Sequence, residues 1–367
     1  MEHEPNQNAA YAPILALTMG DPAGIGPEII AGAWPEFFKS VEERKVPGVL
    51  PPTRPFVFGD PGVISRAVEL RGLSSRVEPI DEIESAAANY ESRFGLDVIP
   101  VVPCCDSNVP KVLYGEISAE GGDAAFRSIN KAIDAALAKE VDAIVTAPLN
   151  KEALHFAGHD YPGHTEILAS RCGVSNFGMA LYLGPCSAIA SPTGLGVVHV
   201  TLHESMRRTV DDVTYEAALE KIGLVRRFMK TIVGREPRIG VCALNCHASD
   251  GGLFGDEEIK LVAPAVKTAQ RKGAIVAGPF PPDTLFLDAK NGLFDGVVAM
   301  YHDQGHMAIK LMDMYSAVNV ALGLPIIRTS VAHGTAFNIA GKGIANTQSL
   351  IEAVRVAALF VSKHETP

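Results

Sequence analysis

The chain is short of aromatic residues, with one tryptophan and 7% Phe, Trp and Tyr together, and it lacks positive charge, carrying 32 basic against 42 acidic side chains for a net charge of −10. Nucleic acid and anionic membrane surfaces need clustered Lys and Arg to neutralise phosphate, so this balance argues against both as main partners and toward small ligands. No uninterrupted apolar run approaches the ~20 residues of a membrane-crossing helix. The start, Met1 to Ala10, carries acidic and amide side chains and no basic segment ahead of Ile14 to Leu17; it reads as a disordered tail and not as a secretion signal. Cys104, Cys105, Cys172, Cys186, Cys242 and Cys246 follow no zinc-finger or thioredoxin spacing. They are expected to be reduced, in a cytoplasmic protein.

What the chain does have is length and apolar content. At 367 residues and 47% hydrophobic, it suggests about two domains with a large core. Pro13 to Thr18, Pro55 to Phe58, Asp97 to Val102 and Val141 to Thr146 read as strands. Between them Asp123 to Lys139 places Phe126, Ile129, Ile133 and Leu137 on one helical face. This alternation predicts a parallel, right-handed βαβ architecture. The turn Gly20-Asp21-Pro22-Ala23-Gly24-Ile25-Gly26-Pro27-Glu28 leads from the first strand into a helix, with Pro27 at its first turn and Glu28 on its positive end. Its spacing is not a dinucleotide fingerprint; it is a tight turn or a backbone cradle for a ligand, with Asp21 the residue that would decide.

The stretch from Met300 to Lys310 crowds His302, Asp303, His306 and Lys310 directly behind the apolar run Gly296-Val297-Val298-Ala299. Short Val-rich runs suit buried parallel strands, and open α/β sheets place ligand groups beyond the carboxyl ends of such strands. Two further strand-like runs also end in histidine: Val197 to Thr201 leads to His203, and Ile239 to Leu244 leads to His247. Three imidazoles from distant strand ends fit a divalent metal site with an open position, or else are unrelated polar residues, since no local spacing links them. Thr165 is placed to cap a helix beginning near Ile167, whose start would receive an anion. Lys310, Asn319 and Arg328 offer cation and amide donors for phosphate or carboxylate. His333-Gly334-Thr335-Ala336 and the run to Asn346 read as a glycine-rich loop with a short helix, followed by a closing amphipathic helix from Gln348 to Val361.

These residues carry a resemblance. From about Leu15 to Asn346 the chain resembles the 4-hydroxythreonine-4-phosphate dehydrogenase family of vitamin B6 synthesis. The most specific pieces are Gly20 to Glu28, Gly163-His164-Thr165-Glu166, Tyr301-His302-Asp303-Gln304-Gly305, and Leu322 to Ser330. The resemblance implies an α/β fold of two α/β/α domains with a cleft between them, related to isocitrate and isopropylmalate dehydrogenases. Residues 1–150 with 311–367 would form the first domain, carrying the dinucleotide loop, and 151–310 the second, carrying the metal histidines and the interface of a homodimer that completes the site. It implies a divalent metal (Zn, Mg, Co or Mn) on His203, His247 and His302, and a small phosphorylated hydroxy-acid substrate held by His164, Thr165, Lys310, Asn319 and Arg328. NAD or NADP would lie on His333, Gly334, Thr335, Ala336, Gly341 and Asn346.

The implied reaction is oxidation, with decarboxylation, of 4-hydroxy-L-threonine 4-phosphate to 3-amino-2-oxopropyl phosphate. Lys310 or Asp283 would take the hydroxyl proton, a choice the sequence leaves open. Some positions depart from the biosynthetic pattern. Leu202-His203-Glu204-Ser205 replaces a more usual Thr-His-Leu-Pro, Cys246 precedes His247 in place of Pro, and His306 enters a more apolar stretch. Such changes resemble members that oxidise D-threonate or D-erythronate 4-phosphate, while a more distant branch oxidises terephthalate dihydrodiol. The intact Gly163 to Glu166 and Arg328 favour a phosphorylated substrate. A catalytically silent, metal-bound dimer that senses a metabolite is the expectation from another class.

Overall fold

The computed structural model describes residues 12–38, 52–105, 109–175 and 177–364, so the tail from Met1 to Ala10 lies outside the described residues. The chain divides into two compact units. The first comprises Met1–Pro162, Ile326–Arg328 and His333–Pro367; the second comprises Gly163–Pro325 and Thr329–Ala332. These boundaries differ from the expected ones at 151–162, 311–325 and 329–332.

In the first unit, strands β1 (Ile14–Thr18), β2 (Arg54–Gly59), β3 (Arg76–Pro79), β4 (Val98–Pro103) and β5 (Ala143–Thr146) lie parallel in the order β3-β4-β2-β1-β5. The central strands are buried almost end to end, as expected of apolar runs covered on both faces. The helix Ala119–Leu137 starts at Ser118, whose Oγ accepts the Gly121 N–H at 3.1 Å. Its buried face is made of Ile129, Ala132 and Ile133, and Leu137, expected inside, is 43% exposed. At the other end of this helix, the helix Lys151–Phe156 packs closely: a Cβ on Gly122 would lie 2.0 Å from the Ala153 carbonyl oxygen. That contact ties 151–162 to the first unit. The closing helix Gln348–His364 packs on β5 and β1.

The second unit contains β6 (Gly178–Leu183), β7 (Leu195–His199), β8 (Arg238–Cys242), β9 (Ile275–Phe280), β10 (Gly296–Ala299), β11 (Ala317–Leu322) and the end of β12 (Ile327–Val331). β7, β10, β8 and β9 lie parallel in that order, but β6 is antiparallel to both β7 and β11, and β12 is antiparallel to β11. The expectation of a parallel sheet therefore fails here. The segment joining β11 to β12, Gly323 to Ile326, is too short for the crossover, about a dozen residues or more, that a parallel pair requires. Pairing of β11 with β6 also places 311–325 in this unit. Leu181, Val197, Leu285, Val297 and Ile309 meet in its core.

This order fixes the site. β10 is flanked by β7 on one side and β8 on the other, all three pointing the same way. The segments leaving their carboxyl ends, which carry His203, Tyr301 to His306 and Asn245 to Asp250, therefore emerge along one edge with the β10 segment in the middle.

Candidate active site

His302 opens the helix His302–Asp313 directly after β10, so it stands at a strand's carboxyl end and shares one helix with His306. The His302 ring lies 5.8 Å, centroid to centroid, from His203, and the two line one cavity of about 480 Å³ with Leu202, Glu204, Tyr301 and Asp303. Two imidazoles bound to one tetrahedral zinc, with Zn–N near 2.1 Å, have ring centres roughly 5–6 Å apart, so this pair fits a shared divalent ion. Asp303 Oδ1 lies 2.7 Å from His302 Nδ1. A carboxylate on one ring nitrogen fixes the tautomer and leaves Nε2 as the metal-facing atom.

Behind this pair stand two imidazoles that the sequence reading did not include in the site. The His306 ring stacks on His302 at 3.7 Å with an interplanar angle of 12°. His306 Nδ1 lies 3.1 Å from the His302 carbonyl oxygen and 3.2 Å from His199 Nε2. His199, the last residue of β7, is 1% exposed. Burial, with the neighbouring imidazoles, holds its pKa well below the ordinary value, and burial first, then His302, pushes His306 down to about 4. Both rings are therefore uncharged at neutral pH and add no repulsion against a cation. Gly305 makes this possible, since a Cβ there would lie 2.3 Å from His199 Nε2. The alternation of Val197, His199 and Thr201 at a strand end was the available signal for His199.

His247 is placed differently. It lines a separate cavity of about 630 Å³ with Asn245, Asp283, Phe286 and Gln304, and the two cavities have Tyr301 in common. Among the described residues, no three His, Cys, Asp or Glu side chains of one chain come close enough together to hold a metal. His247, Ala248, Ser249 and Asp250 all have left-handed backbone, with φ of 53°, 51°, 68° and 44°. Glu258 holds this turn: Oε1 accepts the N–H groups of Leu244 at 2.8 Å and Asn245 at 2.7 Å, and Oε2 accepts from Asn245 Nδ2 at 3.0 Å and from the Ser249 hydroxyl. Burial pushes the Glu258 carboxyl up, but the hydrogen bonds from Asn245 and Ser249 outweigh it and hold it below the usual range. Gln304 clasps the two strand ends, donating to Ala243 O at 3.0 Å and accepting the Met300 N–H at 2.7 Å.

Of the two proposed proton acceptors, Lys310 is half-buried on the His302 helix, and Asp283 is exposed, on the helix Pro282–Lys290 beside His247. The anion-binding set is dispersed. His164 begins the helix His164–Cys172 behind Gly163, with no side-chain cap; Thr165 lies inside the first turn and does not cap it, so the helix starts earlier than Ile167. The bare amino end suits an anion. Asn319 Nδ2 donates to Val331 O at 3.1 Å and leaves Oδ1 buried without a partner, so its open valence is an acceptor. In the first unit, Arg328 is buried and its Nε and Nη2 donate to the Thr146 hydroxyl at 3.2 and 2.6 Å.

The loop from His333 to Asn346 consists of turns and contains no short helix. It rests on the turn after β1: the Ile25 N–H donates to Thr335 O at 3.0 Å, and Glu28 accepts the Gly341 N–H. His333 Nδ1 lies 3.0 Å from Gly334 O, and Ala336 has φ 46°. Gly341, at φ 77°, lies so close to Tyr114 that a Cβ would approach its Cδ2 to 2.5 Å. Asn346 Oδ1 accepts the Gln348 N–H at 2.8 Å at the start of the closing helix. Among the described residues, no helix is long and apolar enough to cross a membrane.

Comparison with known proteins identifies the family. The D-threonate 4-phosphate dehydrogenase of Salmonella typhimurium is 41% identical over 94% of this chain and 97% of its own length. The 4-hydroxythreonine-4-phosphate dehydrogenase of Geobacter metallireducens is also 41% identical, over 94% of this chain and 95% of its own. Among solved structures, 4-hydroxythreonine-4-phosphate dehydrogenase from Klebsiella pneumoniae superposes with a TM-score of 0.78 at 40% identity, covering 95% of this chain and all of that one. The family described as pyridoxal phosphate biosynthetic protein PdxA matches residues 52–357, and the chain belongs to that family.

Proposed function

We propose that this protein is an NAD(P)-dependent dehydrogenase that oxidises and decarboxylates 4-hydroxy-L-threonine 4-phosphate to 3-amino-2-oxopropyl phosphate and CO2, for pyridoxal phosphate synthesis. The observation that carries it is the pair His203 and His302 on one cavity, with Asp303 leaving one ring nitrogen of His302 open. His203 and His302 of one chain, with His247 of a second copy, would hold one divalent metal; the separation of His247 from the other two within a chain supports a homodimer with shared sites. When bound, such an ion lowers the pKa of a coordinated hydroxyl and stabilises the oxygen charge.

The remaining work falls to the chain itself. His164 and Thr165, at an uncapped helix start, and Arg328 bind the phosphate; the Asn319 Oδ1 accepts a hydrogen bond from a substrate hydroxyl. Lys310, two turns along from His302, takes the carbinol proton as hydride leaves for the nicotinamide, with Asp283 the alternative acceptor. NAD or NADP lies along His333 to Asn346, on Gly334, Thr335, Ala336 and Gly341. Six unpaired thiols suit a cytoplasmic setting.

A second reading, D-threonate 4-phosphate dehydrogenase, is favoured by the altered flanks of His203 and by relatives of both names at equal identity. The deciding assay offers both substrates with NAD+ and NADP+ in the presence of Zn, Mg, Co or Mn and follows reduced nicotinamide and CO2. Turnover of 4-hydroxy-L-threonine 4-phosphate is expected. Turnover of D-threonate 4-phosphate alone would establish the second reading, and none with either would overturn both.

A further inference from the structure

The turn Gly20 to Glu28 has no part in the chemistry above, yet it holds a buried polar group with nothing to bind. Asp21 is 1% exposed. Its Oδ1 accepts the Ala23 N–H at 2.9 Å, while Oδ2 has no hydrogen-bond partner. The backbone around it is fixed from several sides. The Asp21 N–H donates to Pro148 O at 3.0 Å, and the Gly24 N–H donates to Asp21 O at 3.0 Å. Gly20 has φ +69°, and a Cβ there would lie 2.3 Å from Pro148 O. On another side, a Cβ on Gly121 would come within 2.9 Å of Asp21 Oδ1. The carboxyl is therefore held in place at the carboxyl end of β1, and it cannot swing out to water.

Asn or Ser would make the turn bond to Ala23 equally well and would leave no second buried carboxylate oxygen. Leaving a buried acceptor unsatisfied costs roughly 1–3 kcal/mol, more when it is charged. Desolvation raises the pKa of this group to about 6, the same penalty seen from the proton's side. A partner supplied by a ligand removes that penalty. The neighbouring loop indicates which ligand. Thr335 sits on this turn, where a Cβ on Gly24 would lie 3.0 Å from its own Cβ, and Gly115, whose N–H donates to Ala23 O at 2.8 Å, faces Phe337 O.

We infer that Asp21 Oδ2 accepts a hydrogen bond from an uncharged donor of the bound dinucleotide, either a ribose hydroxyl or the nicotinamide carboxamide N–H. This rests on the reading of His333 to Asn346 as the dinucleotide loop. A carboxylate repels phosphate, so the pyrophosphate is excluded as its partner. Asp21 is thus a cofactor-binding residue beyond the loop itself.

Asp21→Asn isolates the free oxygen. The amide oxygen keeps the bond to Ala23, and the amide NH2 puts a donor where the ligand's donor points. Binding of NADH, NADPH and ADP-ribose is measured by fluorescence or calorimetry without substrate, with a melting curve for each protein. The expected result is at least about tenfold weaker binding of the preferred reduced dinucleotide, with a melting temperature without ligand equal to or above that of the wild type, because the unsatisfied carboxylate oxygen is gone. Equal weakening for ADP-ribose identifies the donor as a ribose hydroxyl or a group of the adenosine half; undiminished ADP-ribose binding identifies the nicotinamide end. If the Asn protein does not fold, Asp21→Ser keeps a turn acceptor, removes the second oxygen and is held to the same criterion. Wild-type and variant proteins binding the dinucleotide equally would overturn the inference and leave the dehydrogenase reading intact. A wild-type protein that binds no dinucleotide would overturn both.

Discussion

The segments that leave β10 and β8 each present a histidine at a strand's carboxyl end, and they hold it by opposite means. His302 sits in unstrained helical backbone, and its ring is oriented by side chains, with Asp303 on Nδ1 and His306 stacked on the face. The His247 ring has only a looser neighbour among the described residues, Phe254 at 6.4 Å between ring centroids, and its position is set by backbone, through four successive left-handed residues. Left-handed backbone costs roughly 1–2 kcal/mol per non-glycine residue, so this turn stores several kcal/mol. Charge-assisted hydrogen bonds contribute roughly 1.5–3 kcal/mol each, and those to Glu258 are enough to offset it. The histidine that lies beside His203 within the chain is thus held by side-chain contacts, and the one apart from that pair by a braced loop. Such backbone outliers cluster at functional sites, and here the outlier coincides with an expected metal ligand.

The strongest test of this contrast removes the rings. His302→Ala and His247→Ala should each lose bound metal and more than about 99.9% of turnover, because loss of one of three ligands abolishes a catalytic divalent site. The two lesions should differ on mixing. If one site takes His203 and His302 from one chain and His247 from its partner, a heterodimer of the two inactive proteins has one intact site. Random subunit exchange would then restore up to about a quarter of wild-type activity, since half of the dimers are mixed. His302→Ala mixed with His203→Ala should restore none, because both rings line one cavity of one chain. Recovery in the second mixture, or its absence in the first despite demonstrated exchange, would break the assignment.

A smaller effect separates the two supports. Glu258→Ala removes four hydrogen bonds from the strained turn, leaving the Asn245 bond to Glu257 and the backbone bonds to Ser249 O to balance its backbone cost. Metal affinity and turnover should fall by more than about 100-fold with a lowered melting temperature, because the loop relaxes. Asp303→Asn leaves the backbone untouched, so metal affinity should drop by only about 10- to 100-fold at an unchanged melting temperature. Ala248→Gly, relieving one left-handed residue, should stabilise by about 1 kcal/mol. Thermal melts and metal titration of the three variants check the pattern. A Glu258→Ala protein with wild-type metal affinity would mean that the strain has no part in presenting His247.

These supports also mark how far the sequence could be read. Val-rich runs and the residues behind them identified the strand ends that carry His203, His247 and His302, because buried parallel strands and their ligand loops have a local signature. What lay beyond the sequence was set by tertiary neighbours. Nothing local indicates that β10 lies between β7 and β8, the order that puts His203 beside His302 and His247 on the other side. Glu258 and His199 act at long range, and their spacing from the groups they serve follows no helix or strand period. The antiparallel β6 was hidden because a buried antiparallel strand and a buried parallel one look alike as apolar runs. Leu137 fell outside the core because it is the last residue of its helix, and the apolar period in the sequence does not show where the helix stops.

The smallest expected effect on metal binding comes from the opposite ends of the same two strands, where the two loops share a support. Asp295 precedes β10 and ties it to β8: its N–H donates to Arg238 O at 2.8 Å, and its Oδ2 accepts the Arg238 N–H at 2.8 Å. Arg235 reaches both carboxylate oxygens at 2.9 Å, and Arg238 Nη2 reaches Oδ1 at 3.1 Å. Burial raises the Asp295 pKa, but the hydrogen bonds from Arg235 and Arg238 outweigh it and bring the group from an ordinary 3.8 to about 2. A carboxyl depressed in the folded state stabilises it fully above the unfolded pKa, and the contribution is lost as pH falls through the folded value. The window is therefore about pH 4 down to about 2. Both arginines are half-exposed to solvent, which reduces the contribution to the order of 1–2 kcal/mol. Asp295→Asn should lower the melting temperature by a few degrees at pH 7, and the difference from wild type should shrink as the pH is taken from 4 toward 2. Because Asp295 braces β8 and β10 together, the loss should fall on stability alike for both loops, with metal affinity per folded molecule unchanged. A variant that lost metal before it lost stability would show that the strand ends, and not the loops themselves, set the geometry of His247 and His302.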